Sequence, residues 1–271
     1  MTSVRGAFER LRGSRRKALI PFVMAGDPSL SVTGELLIAL QDAGADLIEV
    51  GIPFSDPLAD GPVIQASSAR ALAQGTTPAR ALEVIASVRH RLAVPIVCLS
   101  YWNPLIQFGA NGLERSFDLF ARAAQQSGVA GLIVPDLPIE EGDGLRITAR
   151  RRRLATVFLA APTSPPERLR LIARASEGFI YYVSVTGTTG VRRELPSGLV
   201  QGLRQLKLLT TKPICVGFGI STPDQATQVA RIADGVIIGS ALIRQMQSAT
   251  NRKDVVRRAV AFVKRLRRAV R

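Results

Sequence analysis

A chain of 271 residues with 46% hydrophobic content can bury a large core, and its 36 Lys and Arg against 21 acids give a formal charge of +15. No apolar run reaches the 18 or more uncharged residues that a membrane span needs, and "MTSVRGAFERLRGSRRK" lacks the apolar centre of a signal peptide, so a cytoplasmic protein without membrane contact is expected. The only cysteines, Cys98 and Cys215, lie in apolar runs and the only histidine, His90, lies on a charged stretch; neither a disulfide framework nor a metal site is expected.

Residues 2 to 12 read as a short helix ahead of the first strand, placed to cap one end of the fold. Eight short apolar runs follow: "ALIPFVMAG" from 18, "ADLIEVGIP" from 45, "VPIVCLSYW" from 94, "VAGLIVPD" from 129, "ATVFLAAP" from 155, "GFIYYVSVTG" from 178, "KPICVGFGI" from 212 and "DGVIIGSA" from 234. Their continuous rather than alternating hydrophobicity predicts parallel strands covered on both faces, and helical periodicity follows each. Thr77-Pro78, Ser164-Pro165 and Thr222-Pro223 place a capping residue before a proline, and Ser164 with Glu167 has capping-box spacing. Gly44 and Gly75 stand where helices end. Val256, Val260, Val263 and Leu266 predict the buried stripe of a basic final helix. Eight such units predict a single (β/α)8 barrel over 1–271, with a doubly wound open sheet as the alternative.

In a barrel the chemistry gathers at the C-terminal ends of the strands. Glu49 stands near such an end among Leu47, Ile48, Val50 and Ile52, where burial raises a carboxyl toward the range useful in proton transfer; the bland reading is a structural carboxylate held by an arginine or by amides. Asp60 precedes a Gly-Pro turn in the following loop, ordinary turn chemistry on its own, but it shares that loop with Glu49. Glycines collect after the last three strands in "SVTGTTG", "GFGIST" and "GSAL", and Gly190, Gly219, Gly239 and Ser240 are the candidate phosphate-binding positions. None of the five lysines falls at a strand's C-terminal end, which argues against a Schiff-base mechanism. The basic runs lack interleaved aromatic residues, so no nucleic-acid partner is expected.

At these residues the chain resembles the tryptophan synthase α subunit family. "LIEVGIPFSDPLADGPVIQ" matches the family signature, and "YYVSVTGTTG", "VGFGIS" and "GSAL" stand in the family's order. The resemblance implies cofactor-independent retro-aldol cleavage of indole-3-glycerol phosphate to indole and glyceraldehyde 3-phosphate in L-tryptophan biosynthesis. It implies Glu49 as the acid/base, Asp60 as hydrogen-bond acceptor of the indole N–H, and Tyr181 as a positioning tyrosine. Phe22, Leu99, Ile133, Phe218 and Ile237 would line the indole slot. Residues 53 to 62 and 185 to 196 would form a lid, with Thr189 reaching Asp60 on closure.

The resemblance also implies a partner, the β subunit, in an α2β2 heterotetramer that meets this chain at Pro53, Asp56 and Asn103. Pyridoxal phosphate would belong to β, and this chain would carry no cofactor. Trp102 and the pair Arg192 and Arg193 depart from the family pattern. The alternatives are a free-standing indole-3-glycerol phosphate lyase and a catalytically weak, regulatory anion-binding barrel.

Overall fold

The computed structural model describes residues 3–109, 113–183, 197–217 and 219–270. The strands within them are β1 (Ala18–Met24), β2 (Ile48–Gly51), β3 (Ile96–Leu99), β4 (Val129–Ile133), β5 (Ala155–Val157), β6 (Leu159–Ala160), β7 (Ile180–Val183), β8 (Ile214–Gly217) and β9 (Gly235–Ile238). They form one parallel sheet in the order β5-β4-β3-β2-β1-β9-β8-β7-β6. A doubly wound sheet reverses direction at a switch point. Here the order runs around the chain without reversal and joins β1 to β9, as in a nearly closed (β/α)8-type barrel.

Eight apolar runs yield nine strands because the fifth is interrupted at Phe158. Its N–H is taken by the Ser176 hydroxyl at 3.3 Å. The part before Phe158 then pairs with β4 and the part after it with β7, so the two margins of the sheet are consecutive pieces of one run.

Predicted helix signals hold at Thr77, whose side chain accepts from the Arg80 N–H, and at Thr222, which forms a full capping box with Gln225. Ser164 is a correction. The helix Pro166–Ala175 starts from Pro165, and the Ser164 hydroxyl instead accepts the Ala161 N–H at 3.1 Å. In the final helix, Arg252–Ala269, the fully buried stripe is Val255, Ala259, Phe262, Val263 and Leu266, with Val256 and Val260 at its margin. Most of its basic side chains are exposed, while Arg267 packs inward and pairs with Asp46 at 2.5 Å.

The first helix, Val4–Gly13, closes the end of the barrel where the strands begin. Val4, Ala7, Phe8 and Leu11 are buried, and the rings of Phe8 and Phe179 lie 5.5 Å apart. Val4 sits so close to Gly178 that a Cβ there would stand 2.5 Å from it, and Gly178 has φ +86°, so glycine is required on both counts.

At the opposite end, buried Asp27 after β1 accepts two hydrogen bonds from Arg70, at 2.9 and 2.6 Å, and one from Ser67. This ties the helix Pro62–Ala73 to β1 directly behind the Asp60 loop. Arg70→Met is expected to destabilise the chain by about 2 kcal/mol, below the full value for a buried pair because Arg70 is partly exposed, with Arg70→Met/Asp27→Asn recovering part of the loss. Urea denaturation of the two variants tests this; equal stability of wild type and Arg70→Met would show that the pair contributes nothing.

Candidate active site

Glu49 is fixed by strand register. It pairs with Phe22 on β1 and Val97 on β3, and with alternate side chains on opposite faces, Glu49 and Gly51 share one face while Ile48 and Val50 take the other. The Phe22 ring lies over Gly51, where a Cβ would be 2.6 Å from it. Glycine at this position leaves room for the ring.

The Glu49 side chain is 2% exposed, and its Oε2 has no hydrogen-bond partner among the described residues. Burial pushes its carboxyl up to about 8, and the nearby Asp60 charge adds to the rise. Burial also lifts Asp60, to about 6, against a hydrogen bond from the Tyr101 hydroxyl that pulls it down. Asp60 thus loses its proton first, while Glu49 is still neutral. Glu49 must then ionise beside an existing negative charge. Between about pH 6 and 8 the site holds one carboxylate and one carboxylic acid.

Tyr181, on β7 across the barrel, is buried and its phenol is held protonated by desolvation and by the charges of Glu49 and Asp60. Gly217 on β8 leaves room for it, since a Cβ there would lie 2.4 Å from the Tyr181 hydroxyl. Strands far apart in the chain therefore bring Glu49, Asp60 and Tyr181 into mutual electrostatic reach. The two acids inferred from sequence do meet.

The slot around them is apolar. Phe22, Leu99, Ile133 and Ile237 are all buried on β1, β3, β4 and β9; Phe218 lies outside the described residues. Of the phosphate candidates, Gly219 has φ +79°, and Gly239 is the N-cap of the helix Ser240–Gln247, which no side chain caps. The first N–H groups of a helix lack intrahelical partners and suit an anion. Gly190 and Thr189, the segment 185 to 196 with Arg192 and Arg193, lie outside the described residues.

Tyr101 is the residue that the sequence reading left without a role. Its hydroxyl accepts the Ala59 N–H at 2.9 Å and donates to Asp60, and its ring packs 5.5 Å from Phe54. Ser68 bonds both the N–H and the carbonyl of Phe54 at 2.8 Å, and Gln65 donates to the Asp60 carbonyl at 2.9 Å. The loop 53 to 62 is thus anchored near both ends, with an exposed tip between them. At that tip Asp56 is exposed and Leu58 is 92% exposed, while Pro53 is buried within the chain. Asn103 is exposed nearby in sequence to Trp102, whose backbone N–H donates to Asp136 at 2.9 Å and whose ring packs against Phe117. Asp136, at a strand end, is therefore engaged in holding the start of a helix.

Known proteins share this fold and much of the sequence. The sequence profile of the family described as tryptophan synthase alpha chain matches residues 8–271. A tryptophan synthase alpha chain of Synechococcus sp. (strain CC9902) is 50% identical over 272 residues, covering 99% of this chain and 97% of the relative. One from Prochlorococcus marinus (strain MIT 9313) is 48% identical over 268 residues, covering 98% and 94%. Among solved structures, tryptophan synthase subunit alpha from Legionella pneumophila str. Paris superposes with a TM-score of 0.90 at 37% identity, covering 100% of this chain and 98% of that one.

Proposed function

This chain belongs to the tryptophan synthase alpha chain family, and on that premise we propose that it cleaves indole-3-glycerol phosphate to indole and glyceraldehyde 3-phosphate with the carboxyl pair Glu49 and Asp60. The observation that carries this reading is the buried Glu49 carboxyl, protonated at neutral pH with one oxygen unbonded among the described residues, near an ionised Asp60.

Glu49 protonates the indole ring carbon that bears the glycerol phosphate chain, and so becomes a carboxylate. Asp60 accepts a hydrogen bond from the indole N–H and stabilises the positive charge that the ring acquires. The Glu49 carboxylate then takes the proton of the neighbouring hydroxyl. As that oxygen becomes the aldehyde, the carbon–carbon bond breaks and its electron pair returns to the ring, giving indole and restoring the acid. The protonated ring is itself the electron sink, so the step needs no cofactor from this chain. Tyr181 orients Glu49, the apolar slot holds the ring, and Gly219, Gly239 and Ser240 hold the phosphate.

The family reading also carries the partner. A pyridoxal-phosphate-dependent β subunit in an α2β2 assembly would consume the indole, and the exposed Asp56, Leu58 and Asn103 are the surface on which it would dock. Asp60→Asn tests the mechanism: indole release by the purified chain with β should fall about 10²-fold, the usual loss for one preorganised electrostatic group. Wild-type turnover in that variant would remove Asp60 from the chemistry. Rapid indole release by the chain alone would instead favour a free-standing lyase.

A further inference from the structure

The floor of the barrel holds a second concave feature, at the opposite end from Glu49. It is a cleft of about 330 Å³ between the end of the first helix, the strand that follows it, and the chain entering β8 and β9. Phe8, Leu11 and Pro213 form an apolar wall, and Arg12, Arg15, Arg16 and Lys17 supply four positive charges against the single carboxylate Asp234.

Three of these cations have protein partners. Arg12 donates to the Thr211 carbonyl at 3.2 Å, Arg16 reaches Asp46 at 3.3 Å, and Lys17 donates to the Ala233 carbonyl at 2.8 Å. Asp234 is in turn engaged, accepting the Ile214 N–H at 3.0 Å and pairing with the Lys17 ammonium at 3.8 Å. Arg15 is different: among the described residues its guanidinium has no ion-pair or hydrogen-bond partner. Its backbone is also unusual. The Arg16 N–H reaches back to the Leu11 carbonyl at 2.9 Å, closing the helix with a six-residue turn, and Arg15 has φ +53° at the position that glycine fills most readily. A long charged side chain thus occupies a left-handed position, is unpaired among the described residues, and lines a cleft that carries four cations against one carboxylate.

From this we infer that the floor cleft is a binding site for a small multivalent phosphate of the pyrophosphate class, with Arg15 as its principal ligand. Guanidinium groups pair with phosphate oxygens in forked geometry, and the cleft falls within the size range of small-molecule sites. An occupant would bridge the first helix to the β1–β9 joint. It would act through stability, since it touches none of the groups that face the substrate.

The strained backbone provides a clean variant. Arg15→Gly removes the cation at a position glycine adopts freely, so the fold should be kept without ligand. Inorganic pyrophosphate titrated calorimetrically into the full chain, with ionic strength held constant by NaCl, should bind wild type with about one equivalent and raise its Tm. Arg15→Gly should bind at least fivefold more weakly and lose that rise, while indole release without pyrophosphate stays unchanged. Absence of binding to wild type beyond the effect of NaCl overturns the site. So does a smaller loss of affinity in Arg15→Gly, because pyrophosphate held by the glycine loops at the other end of the barrel would survive the substitution intact.

Discussion

Glu49→Gln should lower kcat for indole release by about 10³- to 10⁴-fold with KM changed only a few-fold, placing the loss in the chemical step. Gln keeps the size and neutrality of the protonated acid but can neither give a proton to the ring carbon nor accept one from the hydroxyl. The wild-type profile is expected to follow the two carboxyls. kcat/KM should rise as Asp60 ionises near its value of about 6 and fall as Glu49 loses its proton near about 8. These limbs belong to the interacting pair, and Asp60→Asn should abolish the rising one. Steady-state rates from pH 5 to 9.5 provide the check. A falling limb that persists in the residual activity of Glu49→Gln would assign that titration to another group.

The same substitution should stabilise the protein, increasingly so as pH rises. In the folded chain the Glu49 carboxyl sits at about 8 against an ordinary 4.5, raised first by desolvation and second by Asp60. Between those pH values the folded state keeps a proton that the unfolded chain has released. Wild-type stability therefore declines as pH climbs through the window, and the full penalty well above pH 8 is roughly 5 kcal/mol. Gln carries no such penalty. Glu49→Gln and wild type should unfold at similar urea concentrations near pH 5 and diverge steadily toward pH 8.5. A difference that stays constant across this range would mean that Glu49 is not the group whose ionisation folding opposes. An acid that weakens the protein in its working range and accelerates its reaction is the expected bargain at an active site.

Local patterns made the barrel legible. Uninterrupted β-branched and aliphatic runs such as "VPIVCL" read as strands covered on both sides, and Thr77 and Thr222 mark helix starts by chemistry confined to a few residues. What escaped depended on contacts between distant segments. Phe158 reads as part of a continuous strand, but the hydroxyl that diverts its N–H belongs to Ser176, eighteen positions later. Ser164 and Glu167 satisfy the spacing of a capping box, yet two successive prolines move the helix start by a residue and turn the serine to a different amide.

The candidate site divides in the same way. Glu49 was conspicuous because a carboxylate inside an apolar run has no local partner, and one of its oxygens is unbonded among the described residues. Tyr101 was not conspicuous, since an aromatic residue at a strand end has many uses. Only the barrel brings its hydroxyl to Ala59 and Asp60, forty-two positions from the former. Asp136 also stands at a strand end, but there it accepts the amide of Trp102.

The helix that seals the floor has a further consequence, one of timing. Val4 and Phe8 find their seat on Gly131, Gly178 and Phe179, contacts that span more than half of the chain. A ribosome delivers the N-terminus first, so this amphipathic segment must wait, its apolar face uncovered, through most of synthesis. The barrel can be closed at its base only after Phe179 has left the exit tunnel, so a helix synthesised ahead of every strand docks only after β7 begins to emerge.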